Sequence, residues 1–144
     1  MIRRGAMLAL VGIVAAACTS TGPAEPPSFS GPAKTISGDL VGPPYSRLSA
    51  SSVIFITAYD VAGGLADRVI ARTSFRKGVS GHFPVPYEIA VPAGSGRVAV
   101  YAEIRDGGRV HFTNDRQYSQ TSASRLDIPM RESPLRYRSY RGGL

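Results

Sequence analysis

One cysteine, Cys18, and two histidines, His82 and His111, are all that 144 residues contain of either kind. A lone thiol cannot close a disulfide within its own chain, even in an oxidising compartment. The same shortage leaves a zinc site without its ligands, since no carboxylates cluster near the histidines to complete a tetrahedral set. No Gly-x-Ser-x-Gly elbow is present, so the nucleophile turn of the α/β-hydrolases is missing. Apolar runs long enough to cross a bilayer are lacking, as is any amphipathic helical pattern of useful length. Acids are scarce: 10 Asp and Glu face 17 Lys and Arg, a formal charge of +7. A basic surface of that size favours anionic partners such as lipid head groups, anionic polymers or an acidic protein face. These shortages predict a protein that is not an enzyme and holds no metal and no cofactor.

The first feature present is an export leader. Arg3-Arg4 form a basic region, Ala6 to Ala17 a short apolar run, and Ala15-Ala16-Ala17-Cys18 ends it with small residues ahead of a cut. The cysteine in that position resembles the lipobox of bacterial lipoproteins. The resemblance implies removal of residues 1–17 as a signal peptide and acylation of Cys18, a multi-chain anchor that holds firmly to a membrane. Loss of Arg3 and Arg4 takes the charge from +7 to +5. Thr19, rather than an Asp, follows the cysteine; an Asp there resembles a signal for retention in the inner membrane. The expected address is therefore the outer membrane, facing the periplasm.

Residues 18–33, rich in Ser, Thr, Gly and Pro, are expected to form a solvated tether. The folded domain is expected over 34–132. Ile36, Gly38 and Leu40 alternate with polar neighbours in a first strand over Lys34–Val41, stopped by Pro43-Pro44. Val53 to Asp60 is apolar on both faces, which predicts a strand inside a sheet and covered twice. Val69 to Phe75 forms another strand, turned by Lys77-Gly78. In Phe83-Pro84-Val85-Pro86-Tyr87 the two prolines lack N–H groups on the same side, so this strand must lie at an edge and pair one way only.

From Arg97 to Tyr118 the pattern is strongest. Val98, Val100, Ala102 and Ile104 share one face while Arg97, Tyr101, Glu103 and Arg105 share the other. Asp106-Gly107-Gly108 supplies the positive φ angles of a tight hairpin, and the chain returns through Val110 and Phe112. Asn114-Asp115 ends the return, and Leu126 to Met130 gives a last alternating strand. About seven or eight short strands with turn signals between them predict an all-β, antiparallel β-sandwich or small barrel.

Several of these stretches occur together in a known group. Gly38, the strand ending at Asp60, Phe83-Pro84-Val85-Pro86-Tyr87-Glu88-Ile89, Ala102-Glu103-Ile104 and Gly108-Arg109-Val110-His111-Phe112-Thr113-Asn114-Asp115 with Tyr118 resemble the YbaY/YscW family of bacterial lipoproteins over roughly Thr35 to Met130. Ser49-Ala50-Ser51 departs from the Pro-Gly or Pro-Asp turn usual there, as Val98 and Gln120 depart from an aromatic and an aliphatic residue. The resemblance implies a β-sandwich tethered to the outer membrane. Members linked to type III secretion act as pilotins, lipoprotein chaperones that escort a secretin subunit.

The expected function is contact with a partner protein, by capture of a peptide on a free sheet edge, either Lys34–Val41 or Leu126–Met130. The alternative is adhesion to anionic lipid or cell-wall polymer. Arg97, Arg105, Arg109 and Arg116 would carry that adhesion. Residues 133–144 form a basic tail in which Arg136, Tyr137, Arg138, Tyr140 and Arg141 interleave charge with amphipathic rings, suited to a head-group layer. Asn114 and Asp115 have two readings, as turn-makers and as loop residues that touch a ligand. Nucleic acid is not an expected partner of an exported lipoprotein.

Overall fold

In a computed structural model, residues 29–63, 68–115 and 117–134 are described; the expected leader, Cys18, Arg116 and the Arg/Tyr residues of the expected tail lie outside them. Within them the chain is all-β. The long strands are β1 (Ala33–Val41), β3 (Val53–Asp60), β4 (Arg68–Arg76), β6 (Val85–Pro92), β7 (Val98–Asp106) and β8 (Arg109–Thr113). Two-residue pieces complete it: β2 (Arg47–Leu48), β5 (Gly81–His82), β9 (Gln120–Thr121), β10 (Ile128–Pro129) and β11 (Arg131–Glu132). A small sheet runs β10-β1-β6, a large one runs β11-β8-β7-β3-β4 with β9 beside β7, and β2 pairs with β5.

The period-two pattern decides which sides meet. Ile36 and Leu40 of β1 and Val85, Tyr87, Ile89 and Val91 of β6 point from the small sheet into one core. Ile54, Ile56 and Ala58 of β3 and Val98, Val100, Ala102 and Ile104 of β7 point into it from the large sheet. Each fully buried isoleucine contributes about 2–3 kcal/mol of transfer free energy. The result is a β-sandwich, as the alternation predicts.

Two irregularities adjust the pattern. Between Ala58 and Tyr59 the β3–β4 register shifts, so Ile70 is an extra residue, and Ile70 and Ala71 are both buried despite being neighbours. The β7–β8 register shifts after Ile104, which makes His111 the extra residue of the return strand. Bulges of this kind bend a strand and re-aim its side chains. The hairpin turn has Gly107 at φ 56° and Gly108 at φ 77°, both in the left-handed region that a two-residue type I′ loop demands.

The structure corrects three expectations. Β1 is not an edge strand: it pairs with β6 on one side and with β10 on the other. The last segment does not run antiparallel. Leu126 N–H donates to the Ser37 carbonyl and Met130 N–H to the Val41 carbonyl, so β10 lies parallel to β1 before the chain crosses to pair β11 with β8. Nor is β3 covered twice. It is central in its sheet, between β4 and β7, but Phe55 on its outer face is only half-buried, and among the described residues a side chain from β7, not a second layer, covers it. The proline-rich strand β6 is an edge, as expected. The fold also starts earlier than Lys34: β1 begins at Ala33, and Phe29 packs on the core.

Candidate functional site

Among the described residues, polar side chains gather at the hairpin end of the sandwich, on the outer face of the large sheet, and beside the small sheet, where Arg125 pairs with both Asp39 and Asp127. At the hairpin end, the turn Ser49-Ala50-Ser51-Ser52 is drawn to Asp106. Ser49 Oγ donates to Asp106 Oδ2 at 2.7 Å and Ser51 Oγ to Oδ1 at 2.8 Å. These bonds hold the Asp106 carboxyl below its usual range, since they favour the charged form. The backbone of the same turn accepts from Lys77 and Gly78 N–H groups. A cleft of about 350 Å³ opens beside it, lined by Arg47, Ser80, Asp106 and His111 among others. Both serine hydroxyls are tied to the carboxylate itself rather than to the imidazole. That geometry fastens a loop; it does not activate a nucleophile.

The outer face carries a continuous chain of bonds. Thr113 Oγ1 donates to Tyr101 OH (2.9 Å), Tyr101 OH donates to Glu103 Oε1 (2.8 Å), and Arg105 holds Glu103 Oε2 through Nε and Nη2 at 2.9 and 2.6 Å. The Arg105 guanidinium lies over the Phe55 ring, 4.8 Å from its centroid. Burial raises the Tyr101 hydroxyl above its ordinary value, with Glu103 adding to the shift. Next to this chain, Tyr59, Tyr101, Asn114, Asp115 and Arg131 line a shallow cleft of about 310 Å³.

Asn114 is buried at the inner side of that cleft, and its amide is fully engaged. Oδ1 accepts from Ala102 N–H (2.7 Å), while Nδ2 donates to the Val100 carbonyl (2.9 Å) and to Ser119 Oγ (2.7 Å). Where β8 leaves β7, this side chain continues the ladder. Asp115 Oδ1 accepts from Gln117 N–H at 3.0 Å and closes the next turn.

Of the arginines named from the sequence, Arg97, Arg105 and Arg109 are among the described residues, and these three do not form one patch. Arg97 precedes β7 and Arg105 nearly ends it, roughly 26 Å apart at strand rise. Arg109 is exposed at the hairpin turn, opposite Asp106. What the structure brings to Arg105 instead is β4. Arg76 and Arg105 flank Val53 from either side, and Arg72 sits opposite Thr57, all on the outer face. Arg72 and Arg76 make no ion pair among the described residues. Sequence reasoning passed over both, although their even spacing on a strand puts them on one face. The two histidines are exposed and apart from each other's strands, and no group of His, Cys, Asp and Glu among the described residues is placed to hold a metal ion.

No protein-family model matches the chain, and no curated protein matches its sequence. Its fold is similar to that of a solved structure, an alternative pilotin from the type II secretion system of Vibrio cholerae. The match has a TM-score of 0.59 at 18% identity and covers 72% of this chain and 99% of the pilotin.

Proposed function

We propose that the chain is a lipoprotein of the cell envelope, anchored to the outer membrane through Cys18, whose sandwich binds a partner protein by contact and performs no chemistry. The observation that carries this is the fold match, which takes in 99% of a secretion pilotin. The export leader and the resemblance to YbaY/YscW lipoproteins support the same reading. In it the chain accompanies a component of a secretion system through the periplasm as a chaperone does.

The two edges read from the sequence leave little room for strand capture, whereas β4, at the end of the large sheet, pairs only with β3 among the described residues. Β1 has a neighbour on each side. On the last segment the even-numbered residues face β1, so the odd ones face out, and Pro129 there has no N–H to offer. On β6 the prolines likewise guard the free side. On the small sheet, contact through a face fits these constraints better than capture at an edge. Adhesion to lipid or polymer through Arg97 together with Arg105 and Arg109 is disfavoured by the separation of Arg97 from the other two, at opposite ends of β7.

The test is delivery of the partner. Cross-linking in cells and purification of the chain from solubilised envelope identifies what it holds. Deletion of the chain, or Cys18→Ala, is expected to leave that protein unassembled or in the wrong membrane. Normal assembly in both backgrounds would contradict the reading.

A further inference from the structure

Phe55 is ringed by cations. It lies opposite Ser74 on β4 and Glu103 on β7, and the rows on either side of it bring in Arg72, Arg76 and Arg105. Along β4, Arg72 and Arg76 are four residues apart on one face, a separation of roughly 13 Å. Across the sheet, Arg76 and Arg105 are two strand spacings apart, roughly 10 Å. Glu103 is the one acid among these rows, and both its oxygens are already engaged, by Arg105 and Tyr101. Arg105 is held in place by that pair and by the ring beneath it, whereas Arg72 and Arg76 are exposed. A guanidinium presents a planar fork of donors that matches a carboxylate in two parallel bonds, so two such groups at fixed spacing read two carboxylates at the same spacing.

We infer that the outer face of the large sheet, centred on Phe55 between Arg72, Arg76 and Arg105, is the docking site for an acidic segment of the partner protein. The segment carries two carboxylates flanking an apolar or aromatic residue, spaced as in Asp-x-Phe-x-Asp in an extended chain. In that conformation alternate residues share a face and acids four residues apart span the same roughly 13 Å as Arg72 and Arg76. The apolar residue between them settles beside the half-buried Phe55. This rests on the reading of the chain as a partner-binding protein and assigns the chemistry of the partner.

The probe is a synthetic peptide with the core Asp-Ser-Phe-Ser-Asp, added to isotope-labelled full chain in neutral detergent. Amide shifts are expected at Phe55, Arg72, Arg76 and Arg105. The doubly charge-reversed variant Arg72→Glu/Arg76→Glu should bind it at least about tenfold more weakly, as loss of two charge-assisted pairs demands. The same variant should gain affinity for the Lys-Ser-Phe-Ser-Lys peptide, which the unaltered chain rejects. Circular dichroism checks that both proteins are folded; because the arginines are exposed, they should be. No shifts at this face, or shifts that the charge reversal leaves unchanged, would overturn the inference. So would binding to phosphatidylglycerol vesicles that depends on Arg72 and Arg76 while the acidic peptide is ignored. A partner recovered from cells whose binding survives the charge reversal would remove this site and leave the proposed function standing.

Discussion

The side-chain amide of Asn114 pairs with Ala102 as another strand would, accepting its N–H at 2.7 Å. With its second bond to the Val100 carbonyl and a third to Ser119, one buried residue covers the stretch of β7 that β8 no longer reaches. Val100 N–H then goes to the Ser119 carbonyl, and β9 takes over at Val98 and Ala99. The loop that follows the hairpin is therefore hung on the large sheet by the Asn114 amide together with the Val100–Ser119 backbone bond.

Asn114→Ala should cost about 2–4 kcal/mol, because it removes three bonds and strands buried groups on β7 without partners. Asn114→Asp should cost a similar amount, since a carboxylate cannot donate to the Val100 carbonyl. Urea unfolding of each variant measures this. A loss below about 0.5 kcal/mol would show that water replaces the amide.

Gly38 has no room for a side chain. A Cβ there would collide with the Leu126 carbonyl, the group that also accepts from Tyr87 OH at 2.7 Å. Gly38→Ala is expected to lower stability by about 1–3 kcal/mol or more by pushing the crossing segment off β1. Thermal unfolding beside Gly94→Ala, where a Cβ meets nothing within 4 Å, separates this effect from loss of glycine as such.

Tyr87 should make the fold sensitive to alkali. Burial pushes its hydroxyl well above 10.0, and Asp127 adds to the shift. The unfolded chain releases that proton near pH 10 while the folded chain retains it, so the folded state holds more protons there. Its stability contribution is complete below about pH 10 and is lost as the pH rises further. Tyr87→Phe should flatten the fall measured by unfolding between neutral pH and strong alkali. An unchanged slope would contradict the assignment.

Asp106 acts in the opposite sense. Its carboxyl is held below 3.8 by Ser49 and Ser51, so what it contributes is present above that value and declines as the pH falls through its folded value. Asp106→Asn should weaken the acid dependence of unfolding, and Ser49→Ala with Ser51→Ala should do the same. Variants that keep the full acid slope would show that the turn is held by its backbone bonds alone.

Strand alternation carried most of the architecture in the sequence. The inward residues of β7, the Gly107-Gly108 turn and the edge position of β6 follow from periodicity, φ preference and missing N–H groups, which are local properties, whereas β3 is apolar on both faces and its alternation does not say which one is covered. Which strands neighbour β1 is not local. Its pairing with β10 joins Leu40 to Ile128 across most of the domain, and nothing in the Leu126–Met130 pattern distinguishes a parallel partner from an antiparallel one. The bulges at Ile70 and His111 were hidden for the same reason: an extra residue shows only once its partner strand is known. The basic face was half legible. Arg105 stood out in its own hairpin, whereas Arg72 and Arg76 join it through β3, by a register the sequence does not display.

The most direct test of the account is site-specific photo-cross-linking in intact cells, with the cross-linker at Thr57 on the outer face of the large sheet or at Glu88 on that of the small one. A discrete adduct with an envelope protein from Thr57, absent from Glu88 and lost with Cys18→Ala, is the predicted result. Equal adducts from both faces, or none from Thr57 in a chain that remains at the membrane, would contradict it.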